Sequence, residues 1–304
     1  MTRFYIRHVT TYTYNQPVFI KPHIVRLRPR CDGWQKLHEY RLEVFPEPIG
    51  RSEIIDLDGN SVLNLWFDRT TEKLQIVSIA DVETQQSNPF IFLLEPWALR
   101  LPFDYPSSLR SQLSPYIDPM GTIPALGDPV ATQLAEEICH CVHGNPIDFL
   151  HELNQRIYNT CQYDVRPDGE PRSPSITWTK REGSCRDFAV LFAAACRTVG
   201  LAARFVSGYQ EGDPDTTERD LHAWVEVYLP GAGWRGYDPT HGLAVADGHI
   251  SVAASVLSRY AAPIEGMVVP IQSPLAGGAP LSSQMTFDIQ LDRSRSKSRR
   301  TASQ

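Results

Sequence analysis

A cysteine, a histidine and an aspartate occur in that order in the second half of this 304-residue chain, each inside a pattern that fixes its local structure. The cysteine opens an apolar helix. In Gly183-Ser184-Cys185-Arg186-Asp187-Phe188-Ala189, Ser184 is placed to cap, and Asp187 falls in the first turn, where a carboxylate suits the positive helix end. Ala189, Val190, Phe192, Ala193 and Cys196 then repeat at helical spacing, and Gly200 stands where a helix-ending glycine belongs. Cys185 is therefore on the first turn, beside backbone N–H groups that have no partner within the helix, a setting that favours a thiolate. Gly183 has no side chain, so a substrate backbone can pass close to the sulfur. Taken alone, a cysteine here reads more simply as a small buried residue.

The histidine and aspartate change that balance. From Leu221 to Leu229 apolar residues alternate with His222, Trp224, Glu226 and Tyr228, the pattern of a half-buried strand. Pro230-Gly231-Ala232-Gly233 is a turn, and Trp234 to Asp238 is the return strand. His222 and Asp238 are an even number of positions apart, so a hairpin that pairs them, or nearly so, puts both side chains on one face. An aspartate beside an imidazole fixes its tautomer and stabilises the imidazolium formed opposite a thiolate. Together the three predict acyl transfer: Cys185 attacks an amide or ester carbonyl, His222 delivers a proton to the departing amine, and water or a second amine resolves the thioester. The backbone N–H of Cys185 is the first donor for the developing oxyanion. His241 is an alternative base, disfavoured because it follows the Asp-Pro turn instead of occupying a strand. Trp224 shares the His222 face and either walls the cleft or packs into the core. Arg186 and Asp187 are expected to brace the helix start.

The segment from Thr177 to Thr240 resembles the core of the transglutaminase-like superfamily. The likeness is carried by the cysteine motif, by Arg197-Thr198-Val199-Gly200-Leu201-Ala202-Ala203-Arg204-Phe205-Val206-Ser207-Gly208-Tyr209, by His222-Ala223-Trp224-Val225-Glu226-Val227 and by Trp234-Arg235-Gly236-Tyr237-Asp238-Pro239-Thr240. Tyr5-Ile6-Arg7-His8-Val9-Thr10, Tyr12-Thr13-Tyr14 and Val25-Arg26-Leu27-Arg28-Pro29-Arg30 are similar to the β-rich domain that precedes this core in bacterial members, and Arg259 to Gly266 also fits. The resemblance implies an α+β fold with a papain-like core: a helix bearing the cysteine packed on an antiparallel sheet bearing the histidine and aspartate. It implies Cys185 as nucleophile, His222 as general base and acid, and Asp238 as orienter. It also puts Tyr163 where related enzymes often place a second oxyanion donor, the alternative being a packing aromatic between helix and sheet. The superfamily includes protein-crosslinking transferases, peptidases and amide hydrolases. Three readings follow: acyl transfer on a peptide or protein amide, hydrolysis by a peptidase or amidase, and a non-catalytic peptide-binding scaffold. The intact set of three residues speaks against the last. No cofactor is expected, and no clustered carboxylate loop suggests calcium.

Organisation and composition frame the site. Residues 1–95 are strand-rich, with alternating stretches at Phe4–Tyr14, Tyr40–Val44, Val62–Phe67 and Leu74–Val82 and a turn at Asp58-Gly59-Asn60. Recurrent prolines predict an irregular connection over 96–127. The catalytic core is expected over 128–291, with helices capped by Asp128-Pro129 and Asn145-Pro146, a short helix after Ser173-Pro174, and closing strands that include Met285–Leu291. A basic tail, 292–304, reads as a solvated disordered end, with the acidic stretch Glu211 to Asp215 as a solvated turn. The formal charge of −6 offers nothing to nucleic acid, and no apolar run approaches membrane-spanning length. The first residues alternate like a strand and contain no apolar signal core, so the expected place is the cytoplasm, where the six cysteines would be mostly reduced. Cys139-His140-Cys141-Val142-His143 fits no zinc spacing and would point in several directions on a helix, so no metal is expected there.

Overall fold

The computed structural model describes residues 1–118, 128–166, 169–212, 220–271 and 280–293. In chain order, the first half holds β1 (Thr2–Val25), β2 (Gln35–Phe45), β3 (Gly50–Ile55), β4 (Ser61–Trp66), β5 (Thr70–Thr84) and α1 (Ser107–Ile117). Then come α2 (Pro129–Cys141), α3 (Pro146–Thr160), β6 (Gln162–Tyr163), α4 (Pro174–Lys180), β7 (Glu182–Gly183) and α5 (Cys185–Thr198). The chain continues through β8 (Ala203–Gln210), β9 (His222–Leu229), β10 (Gly233–Asp238), β11 (Leu243–Ala244), β12 (His249–Ser255), β13 (Ile264–Pro270) and β14 (Ser283–Arg293). No helix among the described residues is long and apolar enough to cross a membrane.

Two sheets meet in the middle of the molecule. The N-terminal sheet runs β2-β5-β1-β4-β3, and β13 and β14 also pair with β1. Alternation is its organising pattern: Thr2, Phe4, Ile6, His8 and Thr10 point inward from β1 while Arg3 and Tyr5 point out. The second sheet is antiparallel, in the order β11-β10-β9-β8-β12. Helix α5 lies on its β9 and β8 strands. There Phe188, Leu191, Phe192 and Ala195 bury against Ala203, Phe205, Val225 and Tyr237. Helices α2, α3 and α4 cover α5 from the other side. Their capping follows the sequence. Asp128 accepts from the N–H groups of Val130 and Ala131, Asn145 from Ile147 and Asp148, and Ser173 from Ile176.

The seam between the sheets is both apolar and hydrogen-bonded. Phe4, Ile6, Ala80 and Val82 pack on Tyr209, Ile250 and Val252. Strand β12 is an edge of its sheet, and side-chain amides from the other sheet complete that edge. Asn60, fully buried, donates to the Ala254 carbonyl at 2.8 Å and accepts its N–H at 2.9 Å. Gln35 likewise donates to the Ser251 carbonyl and accepts the Ser251 N–H, both at 2.8 Å. An otherwise open strand edge is thereby blocked.

Two features depart from the sequence reading. The strand expected at Met285–Leu291 forms, within β14, but it joins the N-terminal sheet and not the core expected over 128–291, pairing along β1 from Phe4↔Arg293 to Tyr14↔Ser283. An inward-facing alternation does not reveal which sheet will accept it. The proline-rich connection contains a helix, α1, because the run from Ser107 to Ser114 is proline-free and long enough to wind. Residues 119–127, 213–219 and 294–304 lie outside the described residues, and with them most of the acidic turn and the basic tail.

Candidate active site

The start of α5 is built around a buried carboxylate. Asp187, fully buried, accepts the Ser184 backbone N–H at 2.7 Å and the Ser184 hydroxyl at 3.0 Å. Its other oxygen takes Arg166 and the Arg172 N–H, each at 2.7 Å. Arg186 reaches the carbonyls of Gly169 and Arg166, at 2.8 and 2.6 Å. These bonds fix the loop before the helix and leave Cys185 as its first residue, with its backbone N–H among those that have no acceptor one turn back. The parallel pairing of Gln162 and Tyr163 with Glu182 and Gly183 then brings Tyr163 beside the sulfur. Its hydroxyl is held above the usual range by burial and by hydrogen bonding and charge at Cys185, so it stays protonated and able to donate. The same ring leans on Phe188, with centroids 6.4 Å apart. Tyr163 thus packs on α5 and stands with its hydroxyl beside Cys185.

The adjacent strands supply the other half of the site. Strand register places Tyr237 opposite Val225, so Asp238 follows one step on, diagonal to His222 and on the same face. His222 Nε2 lies 2.8 Å from Asp238 Oδ2. With Nε2 committed there, the Nδ1 side of the ring is left for Cys185, to which His222 is also hydrogen-bonded. Burial pulls the imidazole down, but the Asp238 charge and hydrogen bond, with Cys185, outweigh it and raise His222 to about 10. Burial also works against the Asp238 charge, yet His222, His241 and His249 hold it well below the usual carboxylate range. His241 Nδ1 approaches Oδ2 at 2.9 Å and His249 Nε2 at 3.1 Å, while the Thr240 N–H reaches Oδ1 at 3.0 Å. The set presents a sulfur, a proton-carrying imidazole facing it, a fixed carboxylate behind, and a tyrosine hydroxyl beside the sulfur.

Comparison with known proteins agrees with this geometry. Residues 4–83 match the bacterial transglutaminase-like N-terminal region, and residues 133–239 match the transglutaminase-like superfamily. The chain belongs to the transglutaminase-like superfamily. Uncharacterised proteins of Mycobacterium tuberculosis and Mycobacterium bovis are 28% identical to it over 281 residues, covering 88% of this chain and 87% of theirs. A protein-glutamine gamma-glutamyltransferase of Pseudomonas aeruginosa is 28% identical over 227 residues, covering 69% of this chain and 31% of that protein. Among solved structures, a candidate cysteine protease from Cytophaga hutchinsonii superposes with a TM-score of 0.70 at 20% identity, over 96% of this chain and 90% of that one. The fold is therefore the α+β, papain-like fold of the superfamily, preceded by its β-rich N-terminal region.

Within this transglutaminase-like core, two residues expected to line the cleft do other work. A Cβ on Gly183 would meet Asp187 Cβ at 2.9 Å and the Phe188 ring at 3.0 Å, so the packing of the helix start itself requires the glycine. Trp224 is buried, 1% exposed, and packs edge-on against His249 at 5.3 Å, away from the thiol. Gly208, the cross-strand neighbour of His222, makes room for that packing: a Cβ there would run into the Trp224 ring and the Ile250 carbonyl.

His249 was not singled out from sequence. It sits 11 residues beyond Asp238 on a strand at the far edge of the sheet, and only the tertiary pairing of β12 with β8 folds it back. His241, weighed as a base, instead shares the Asp238 oxygen. Among the described residues, His222, Asp238 and His241 have ligand atoms within 4.8 Å of one another, close enough for a metal ion. Both imidazoles are aimed at the carboxylate oxygen, which is hydrogen-bonding geometry. The cysteine–histidine run on α2 forms no such grouping among those residues, and all six cysteines are free.

Proposed function

We propose that this protein is a cysteine-nucleophile acyl-transfer enzyme acting on amide bonds of a peptide or protein. The observation that carries the reading is the single line of contacts from Tyr163 and Cys185 through His222 to Asp238. In the proposed cycle the Cys185 sulfur adds to the amide carbonyl, the oxyanion is held by the Cys185 N–H and the Tyr163 hydroxyl, and His222 passes its proton to the leaving amine. The C–N bond breaks and a thioester remains. His222, now neutral, takes a proton from the incoming amine or water, and the Cys185 sulfur leaves. Membership of a superfamily of cysteine protease-like enzymes supports the nucleophile, as does a carboxylate kept ionised behind an imidazole kept protonated.

The test is to trap the intermediate. Wild type and Cys185→Ala are incubated with glutamine-containing peptides and with peptide amides, quenched in acid and weighed intact. The expected result is an adduct on wild type equal to the donor less its leaving amine, absent in Cys185→Ala. Its decay should yield acid in buffer, or a new amide when a primary amine is supplied. Absence of any adduct, together with product formation in Cys185→Ala, would overturn the proposal.

A further inference from the structure

A cavity of about 300 Å³ lies between the two sheets, and Cys185, His222 and Tyr163 open onto it. Its far wall belongs to the N-terminal sheet. There β1 and β14 present three cross-strand pairs on one face: His8↔Ile289, Thr10↔Phe287 and Tyr12↔Met285. Over these three pairs the period of two sends the flanking charges to the opposite face, where Arg7 and Asp288 meet each other at 3.5 Å. The wall facing the thiol therefore carries no charged side chain.

The polar groups within that wall are already engaged. His8 is buried, with Nδ1 3.0 Å from the Tyr209 hydroxyl and Nε2 3.0 Å from Thr10 Oγ1. Burial lowers it to about 4, so it is neutral at physiological pH. On the core side, the Ser207 hydroxyl is spent on the Ala261 carbonyl at 2.6 Å. Of the charged residues at the rim, Arg166 is held by Asp187, Arg186 by the carbonyls of Gly169 and Arg166, and the Arg259 guanidinium lies 4.8 Å over the Tyr260 ring, while the acidic Glu170 and Asp220 belong to core loops and not to this wall. A carboxylate or ammonium entering between the sheets would lose water and gain no partner on this wall. An apolar group would cover Phe287, which stands 40% exposed beside a reactive centre.

We propose that this cavity is the acyl-donor subsite, that it selects an uncharged and largely apolar side chain next to the attacked carbonyl, and that Tyr12, Met285 and Phe287 are its specificity wall. The inference rests on Cys185 being the nucleophile. It gives the N-terminal sheet and the last strand a direct part in choosing the substrate.

The experiment uses peptidyl chloromethyl ketones that carry leucine, phenylalanine, glutamate or lysine beside the electrophilic carbon. The Cys185 thiolate displaces chloride, and mass spectrometry of the Cys185 peptide gives the rate. Each rate is divided by the iodoacetamide rate of the same variant, which cancels changes in thiol reactivity. Leucine and phenylalanine probes are expected to react at least tenfold faster than the glutamate and lysine probes. Phe287→Asp should erase that preference and improve the lysine probe relative to the glutamate probe, whereas Phe287→Leu should retain it. Equal normalised rates for all four probes, or an unaltered preference in Phe287→Asp, would overturn the subsite. If iodoacetamide shows no selectivity for Cys185, the nucleophile itself fails, an outcome distinct from indifference among the probes.

Discussion

Among the described residues two carboxylates are fully buried, and they are held in opposite ways. Asp187, at the start of α5, is surrounded by donors that do not change: an arginine, two backbone N–H groups and a serine hydroxyl. Asp238, at the end of β10, is surrounded by three imidazoles and one backbone N–H. Permanent donors make a brace, whose value is positional. Imidazole donors carry protons that can leave, so the same buried charge becomes part of a proton-handling device. In the proposed cycle the first carboxylate positions the cysteine and the second activates it through His222.

The largest expected effect comes from separating the two roles. Asp238→Asn should lower kcat/KM by roughly 10³- to 10⁴-fold, since an amide cannot stabilise the imidazolium or fix its tautomer. Asp187→Asn should leave activity per folded molecule within a few-fold of wild type. Comparable losses in both variants, by steady-state kinetics on matched folded concentrations, would break the distinction. Next in size is stability. Asp187→Ala strips Arg166 of its partner and the helix start of its cap, and should cost roughly 3 kcal/mol by urea unfolding. A variant as stable as wild type would show that Asp187 is no brace.

A smaller effect tests His249 as a positioning residue. His249→Phe removes one donor from Asp238 and should reduce kcat by about tenfold, consistent with losing a hydrogen bond to a charged group. His249→Gln, which keeps an N–H, should recover most of it. With one donor gone, the Asp238 charge acts more strongly on His222, so the alkaline limb of the pH–rate profile should move up in His249→Phe. A purely structural role would leave that limb in place.

The smallest effect is the pH dependence of stability. His222 is raised from 6.5 to about 10 on folding, so its contribution is fully present below pH 6.5 and is lost as pH rises toward 10. Asp187→Asn should retain that alkaline loss in denaturant titrations, and Asp238→Asn should lack most of it. His8 works in the other direction. It is held near 4 by burial, so stability should fall as pH drops from 6.5 toward 4, because the unfolded chain takes up a proton that the native protein refuses. His8→Gln should flatten that acid slope.

What was legible in the sequence was local. The caps at Asp128, Asn145 and Ser173, the helix opened by Cys185 and the hairpin of β9 and β10 follow from turn chemistry and period, and they bring Cys185, His222 and Asp238 to one place. What was not legible is long-range. The return of β14 to β1, the amides of Gln35 and Asn60 sealing β12, and the arrival of His249 at Asp238 each join residues whose partners no local pattern names. The missing side chain of Gly183 is visible in sequence, whereas the Asp187 and Phe188 atoms that leave no room for one are visible only once folded.

The most direct test of the account is iodoacetamide labelling across pH, read peptide by peptide in wild type and His222→Ala. Cys185 should be modified below neutral pH ahead of the exposed Cys31 and Cys141, although it is itself largely buried, and His222→Ala should remove that advantage. Labelling of Cys185 no faster than of Cys31 and Cys141, or labelling unchanged by His222→Ala, would contradict an activated thiol at this site.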